Sequence, residues 1–149
     1  MGFDIEGHKF IVTGAANGIG LAISRRLSEL GAKVSGWDLY DDSMASDPAF
    51  THSVKVDVTD ENSIQTAVKD SIQKLGGLQG LIANAGINGP TKPTWEYSKK
   101  EWEQVMSVDL TGVFLSTRAV LHHMRKHGYG RLIIISSVAG KEGNPGASP

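Results

Sequence analysis

A run of small residues, Thr13-Gly14-Ala15-Ala16-Asn17-Gly18-Ile19-Gly20, separates the apolar stretch Phe10-Ile11-Val12 from a helical pattern that begins near Leu21. Glycines at a strand-to-helix turn let the backbone approach phosphate oxygens closely. The first N–H groups of the helix then point at the anion, with the positive end of the helix dipole behind them. The chemistry such a run offers is pyrophosphate binding. Glycines also close tight turns and let helices pack near strands with no ligand, so the run alone leaves both uses open. A second residue type narrows the choice. The apolar segment Val34-Ser35-Gly36-Trp37 ends in Asp38, about twenty residues past the glycine turn, where a carboxylate accepts hydrogen bonds from both hydroxyls of an adenosine ribose. A surface aspartate closing a strand is the plainer alternative.

Residues of this kind act together only if several strands end on one side of a sheet. The chain alternates strand and helix patterns, with no internal linker, repeat or low-complexity tract. Periodicity predicts helices over 18–30, 61–75 and 99–126, the last broken near Gly112, and strands over 10–12, 34–37, 53–58, 78–83 and 132–136. Thr59-Asp60-Glu61 and Ser98 are start signals; Gly31, Gly76-Gly77 and Gly128 are stop signals. Short crossovers through helices force parallel pairing with right-handed connections. The expected fold class is therefore α/β, a doubly wound parallel sheet with strand order 3-2-1-4-5, and ligands bind past the carboxyl ends where the order reverses.

The glycine spacing, Gly14, Gly18 and Gly20, departs from the general dinucleotide fingerprint and resembles that of the short-chain dehydrogenase/reductase family. Three further segments extend the resemblance over nearly the whole chain. Asp57-Val58 stands where the family has its adenine-contacting acid, and Asn84-Ala85-Gly86 matches its Asn-Ala-Gly motif. Gly130-Arg131-Leu132-Ile133-Ile134-Ile135-Ser136-Ser137 matches the fifth strand, which delivers its catalytic serine. The resemblance implies a Rossmann domain with cofactor contacts at Gly14, Asn17, Gly18, Ile19, Gly20, Asp38, Leu39, Asp57, Val58, Asn84, Ala85 and Gly86. It implies hydride transfer between a nicotinamide cofactor and a secondary alcohol or ketone, with Ser137 hydrogen-bonding the reacting oxygen. Ser136 is the neighbouring hydroxyl; strand alternation puts the two on opposite faces, and the match to the family favours Ser137. A serine that only satisfies local backbone groups is the alternative.

In the family a Tyr-x-x-x-Lys pair follows that serine by about a dozen residues, with the tyrosine as acid/base, which places it just past Pro149. Residues 1–149 therefore read as one dinucleotide-binding domain, incomplete at its C-terminus, and are expected to be inactive alone. A non-catalytic NAD-binding protein is a second reading, and a nucleotide-binding transferase or epimerase on a related fold is a third. Asp109 occupies the place where the family usually has an asparagine that helps hold the lysine and a relay water. An ionised aspartate accepts hydrogen bonds but donates none, and it raises the pKa of a nearby lysine. Asp109 reads either as an altered member of that relay or as a residue satisfying a helix bend.

Charge decides the expected cofactor. A 2′-phosphate needs a cation near the glycine turn or the second strand's end. That end reads Asp38-Leu39-Tyr40-Asp41-Asp42, so NAD is favoured over NADP. A formal net charge of −1, with 40% hydrophobic and 21% charged residues, is ordinary for a water-soluble domain and gives no global field for nucleic acid or an anionic membrane. The absence of cysteine removes disulfides and thiolate chemistry. No apolar run reaches transmembrane length and the start lacks an export pattern, so a cytoplasmic enzyme is expected, homo-oligomeric in its full-length form. The expected partner is a small alcohol or ketone. The stretch Val138-Ala139-Gly140-Lys141-Glu142-Gly143-Asn144-Pro145 resembles those of short-chain enzymes acting on sugar acids, and 3-oxoacyl reductases carry comparable stretches.

Three other groups have alternative uses. His122, His123 and His127, with Arg125 and Lys126, complement a helix C-terminus, and no metal site is expected. Val105, Leu110, Val113, Phe114, Val120, Leu121 and Met124 are divided between core and a subunit face, with core expected for most. Trp95, Tyr97 and Trp102 either line a substrate mouth or pack a helix start.

Overall fold

The computed structural model describes residues 5–40, 42–147 and 149. Asp41, counted in the acidic run, and residues 1–4, which open the chain, lie outside the described residues. Strands β1 (Lys9–Thr13), β2 (Lys33–Asp38), β3 (His52–Lys55), β4 (Gly80–Ala83) and β5 (Arg131–Ile134) form one parallel sheet in the order β3-β2-β1-β4-β5. This is the doubly wound arrangement the alternating pattern requires. Helices α1 (Gly18–Glu29), α2 (Glu61–Leu75), α3 (Lys99–Met106) and α4 (Val113–Lys126) connect the strands, and a short α5 (Ala139–Glu142) follows β5.

Alternation on the central strands makes two cores. Ile11, Trp37 and Leu81 pack with Ile64, Ala67 and Val68 of α2 and Leu115, Val120 and Met124 of α4. Phe10, Val12, Val34 and Ile82 face the other way, against Ala15, Ala32, Met44 and the partly buried Ile23 and Leu27 of α1. Buried on both faces, β1 and β4 are almost continuously apolar.

The start signals sit where they act. The Asp60 carboxylate accepts the N–H of Asn62 at the head of α2, and Ser98 with Glu101 forms a reciprocal capping box at the head of α3. Four expectations need correction. The third strand ends at Lys55, not Val58: the backbone N–H of Val56 still pairs with Asp38 O, but Asp57 then takes the N–H and hydroxyl of Thr59 and turns the chain into α2. The fourth strand begins at Gly80 and the fifth ends at Ile134, so Ser136 and Ser137 lie beyond its alternation. The long helix does not break at Gly112. It passes from α3 to α4 through a π-helical segment, Ser107–Gly112, and Gly112 is helical with φ −61° and ψ −40°. Its lack of a side chain serves packing, because a Cβ there would lie 3.0 Å from Val58 Cγ2 and 3.2 Å from the Val58 carbonyl oxygen. Finally, only Val105, Val120 and Met124 of the seven apolar helix residues are buried; Leu110, Phe114 and Leu121 are exposed.

Among the described residues β5 pairs only with β4, and Leu132, Ile133, Ile134 and Ile135 are exposed by 37–55%. An open, apolar strand edge is a template for further pairing. A polypeptide of these 149 residues is expected to self-associate, and Ile134→Lys to reduce that association; light scattering coupled to size-exclusion chromatography checks this, and a monomer at all concentrations overturns it.

Candidate functional site

The connections from β1 and β4 leave in opposite directions, which opens a crevice between their carboxyl ends. One residue on each side holds it. The buried Thr13 hydroxyl oxygen accepts the backbone N–H groups of Asn84 and Ala85 at 3.0 and 2.9 Å. In return the Asn84 amide donates to the carbonyl oxygens of Thr13 and Gly14 at 3.0 and 3.1 Å. Backbone groups that the sheet no longer pairs are thus satisfied by side chains.

The glycine turn follows directly. A Cβ on Gly20 would lie 2.0 Å from the Gly14 carbonyl oxygen, so the first turn of α1 closes on the loop only without a side chain. Asn17 starts α1 without a side-chain cap and the first turn carries no acid, whereas α2 and α3 are both capped and both acidic there. The N–H groups at the head of α1 therefore present an uncancelled positive end to the crevice, which fits an anion. Asp38 closes the side of the turn: Oδ2 accepts the N–H of Ala16 at 3.0 Å and Oδ1 accepts that of Tyr40 at 3.2 Å.

These elements enclose a cleft of about 400 Å³, lined by Gly14, Asn17, Ile19, Asp38, Leu39, Asp57, Val58, Asn84, Ala85 and Gly86 together with Trp37, Tyr40, Val56, Ile87 and Val108. Two of the residues assigned to the cofactor, Gly18 and Gly20, shape the turn without lining the cleft. Ile19, Leu39 and Tyr40 are exposed apolar side chains at its rim, a surface that a bound molecule would cover. No arginine or lysine lines the cleft among the described residues. Arg25 of α1 is held away from this role by Asp47, whose carboxylate it meets at 2.8 Å.

Asp109 lies in the π-helical segment, where Oδ1 accepts the backbone N–H of Ile87 at 2.9 Å and stands 3.6 Å from the position a Cβ of Gly86 would take. It thus ties the helix to the chain leaving β4. Ser137 does not line the cleft; its hydroxyl oxygen accepts the N–H of Ala139 at 3.1 Å and opens the turn into α5. Thr13, Trp37, Tyr40 and Val108 were not singled out for the site from the sequence. Thr13 had a legible signal, as the one polar residue closing an otherwise apolar strand.

Beyond the cleft, the segment 88–98 is pinned from two sides. The backbone N–H of Lys92 donates to Gly146 O at 2.8 Å, the Tyr97 hydroxyl donates to Pro90 O, and the Lys92 ammonium meets both Glu101 carboxylate oxygens at 2.7 and 2.8 Å. Trp95 within it and Trp102 beyond it are exposed. At the end of α4 the rings of His123 and His127 stack at 4.1 Å, and burial, reinforced by the charges of His127, Lys126 and His122, lowers the pKa of His123. No group of three or more His, Asp or Glu with metal-binding geometry occurs among the described residues. Nor is any helix of the described residues long and apolar enough to cross a membrane.

Comparison with known proteins gives the class. A family profile described as short chain dehydrogenase matches residues 8–149. A 2-dehydro-3-deoxy-L-rhamnonate dehydrogenase (NAD(+)) of Sphingomonas sp. is 43% identical over 141 residues, 93% of this chain and 57% of that protein. A 3-oxoacyl-acyl-carrier-protein reductase of Vibrio cholerae is 34% identical, over 96% of this chain and 60% of that protein. The crystal structure of an NAD+-bound xylitol dehydrogenase superposes with a TM-score of 0.89 at 29% identity, covering 96% of this chain and 58% of that one. The chain belongs to the short-chain dehydrogenase family, and it spans somewhat more than half the length of these relatives.

The Lys92 ammonium, with the Ser98 hydroxyl and N–H, holds the Glu101 carboxyl down at about 2 from an ordinary value of 4.5. A carboxylate whose folded pKa is depressed adds stability above its unfolded pKa and loses it as pH falls through the folded value. Glu101→Gln is therefore expected to be less stable than the unaltered protein at pH 6. The difference should shrink between about pH 4.5 and pH 2, as read by urea unfolding across that range.

Proposed function

We propose that this chain is the cofactor-binding part of an NAD-dependent short-chain oxidoreductase that transfers hydride between nicotinamide and a secondary alcohol or ketone. The observation that carries this reading is the pairing of an uncapped helix N-terminus with an acid-sided, cation-free cleft. The head of α1 and the glycine turn bind the pyrophosphate. Asp38, with lone pairs left beyond its two backbone bonds, accepts from the ribose hydroxyls, where a 2′-phosphate would meet a carboxylate. Asp57 and Val58 flank the adenine, and Asn84, Ala85 and Gly86 floor the middle of the cleft. When bound, the dinucleotide supplies the hydride-transfer chemistry.

Ser137 donates a hydrogen bond to the reacting oxygen once the Tyr-x-x-x-Lys segment expected beyond Pro149 packs against it. In the described residues its oxygen serves only the α5 turn, which leaves its proton free to donate. Asp109 acts through position, holding Ile87 and the floor of the cleft by its accepted N–H. Similarity to the rhamnonate-derivative dehydrogenase supports a sugar-acid substrate, with 3-oxoacyl compounds the second choice. The enzyme is proposed to be a cytoplasmic homo-oligomer, and the 149 residues by themselves to turn over no ketone.

Asp38→Ala in the complete enzyme is expected to weaken NAD binding about tenfold or more, in keeping with the roughly 1.5–3 kcal/mol of hydrogen bonds to a charged group. NADP binding should change far less. Titration with both cofactors checks this, and an unaltered enzyme that prefers NADP overturns the charge argument. Ser137→Ala should lower kcat by about a hundredfold or more while leaving NADH binding intact, the scale of losing one donor to a developing oxyanion. Steady-state kinetics with sugar-acid ketones checks it, and a kcat within a factor of about two of the original removes Ser137 from the chemistry.

A further inference from the structure

Beneath the adenosine end of the cleft a chain of hydrogen bonds crosses three elements. The Trp37 indole N–H of β2 donates to Ser71 Oγ of α2 at 2.9 Å, and Ser71 Oγ lies 2.8 Å from Ser35 Oγ of β2. Ser35 Oγ lies 2.9 Å from His52 Nδ1 of β3, and His52 Nε2 lies 2.9 Å from Asp70 Oδ2 of α2. Trp37, Ser35 and Ser71 are fully buried, the His52 side chain is 11% exposed, and the Asp70 side chain, 41% exposed, lies at the surface.

With a neutral imidazole between them, the two ends fix the direction of every bond in the chain. An indole N–H can only donate and an ionised carboxylate can only accept. Asp70 supplies no hydrogen, so His52 Nε2 must carry one. A neutral imidazole then has a bare Nδ1, so Ser35 must donate to it. Ser35 has spent its only hydrogen, so Ser71 must donate to Ser35 while accepting from Trp37. Four contacts and four hydrogens match with none left over. A hydrogen on Nδ1 would instead face the Ser35 oxygen, and one buried hydroxyl proton would have to find an acceptor outside the chain, at the cost of an unsatisfied group.

We infer that His52 is a positioning residue for the adenosine half of the cofactor cleft, held as the neutral Nε2–H tautomer by this one-directional chain. The link to the cleft is short. Among the described residues β3 is an edge strand paired with β2 alone, in register Ser35 to His52 and Asp38 to Lys55. The chain adds a lateral tie from both strands to α2. Asp38 follows Trp37 directly, and Val56, Asp57 and Val58 continue from β3 into the cleft wall. The Trp37 carbonyl also accepts the N–H of Ala15 in the glycine turn at 3.1 Å. A slip of β3 or α2 against β2 therefore moves Asp57 relative to Asp38, the two groups that must bracket one nucleoside.

The inference rests on the NAD reading for its consequence, while the tautomer is read without cofactor. Full-length protein labelled with nitrogen-15 at histidine and tryptophan, with the Trp37 and His52 signals assigned by Trp37→Phe and His52→Phe, reports the ring nitrogens and indole exchange directly. A bare Nδ1, a protonated Nε2 and a slowly exchanging Trp37 indole proton at neutral pH are expected. The opposite tautomer, or a cationic ring there, overturns the inference. Ser35→Ala and Ser71→Ala each delete one oxygen, so they test the chain even where His52→Phe fails to fold. Ser35→Ala should mix the two tautomers, Ser71→Ala should speed indole exchange, and both should raise the NADH dissociation constant about fivefold, the scale of coupling among residues of one network. Unchanged NADH affinity in both variants, with normal binding by the unaltered protein, overturns the positioning role alone. Failure of the unaltered protein to bind NADH overturns the cofactor reading and this role with it.

Discussion

The mutual grip of Thr13 and Asn84 is the interaction on which the site depends. A parallel sheet whose connections diverge leaves backbone donors and acceptors unpaired at the point of divergence, and buried groups of that kind cost about as much as a lost hydrogen bond. Here one hydroxyl oxygen takes two N–H groups and one amide serves two carbonyls. The carboxyl ends of β1 and β4 are thereby locked to each other at the floor of the crevice. The glycine turn, Asp38 and the start of α1 are all placed relative to that fixed floor.

Much of this was legible in the sequence because each element obeys its local rule. Strand and helix periodicity marks the alternating elements, the doubly wound class supplies the expected order β3-β2-β1-β4-β5, and Asp60 and Ser98 cap the helices their positions suggest. The end of the third strand has a local cause: the Asp57 N–H goes to the Ser63 hydroxyl and its carboxylate to Thr59 in place of ladder pairing, and apolar pattern carries no trace of that exchange. Glycine weakens helices, which is why local pattern places a break near Gly112. Its contact with Val58 lies across the fold, which a local pattern cannot show.

The polar network around His52 was illegible for a related reason. Ser35, His52, Asp70 and Ser71 lie 17, 18 and 36 residues apart along their bonds, and nothing in a single sequence marks them as neighbours. By contrast, Asp38 announced itself because its chemistry is read from distance along the chain to the glycine turn. Residues that meet a ligand through one crossover unit are visible in sequence; residues that steady that unit from a neighbouring crossover are not.

The π-helical segment Ser107–Gly112 carries a further consequence. It is equivalent to one residue inserted into an α-helix, and each residue turns the chain by about 100°. The faces of α3 and α4 are therefore out of phase: Val105 points into the core before the segment, Val120 and Met124 point in after it, and Leu110 and Phe114 swing outward around it. The segment works as a phase shifter in the helix. Shortening it by one residue would leave the composition of the helix almost untouched, yet it would turn every side chain of α4 by about 100° around the helix axis and carry Val120 and Met124 away from the core they now fill.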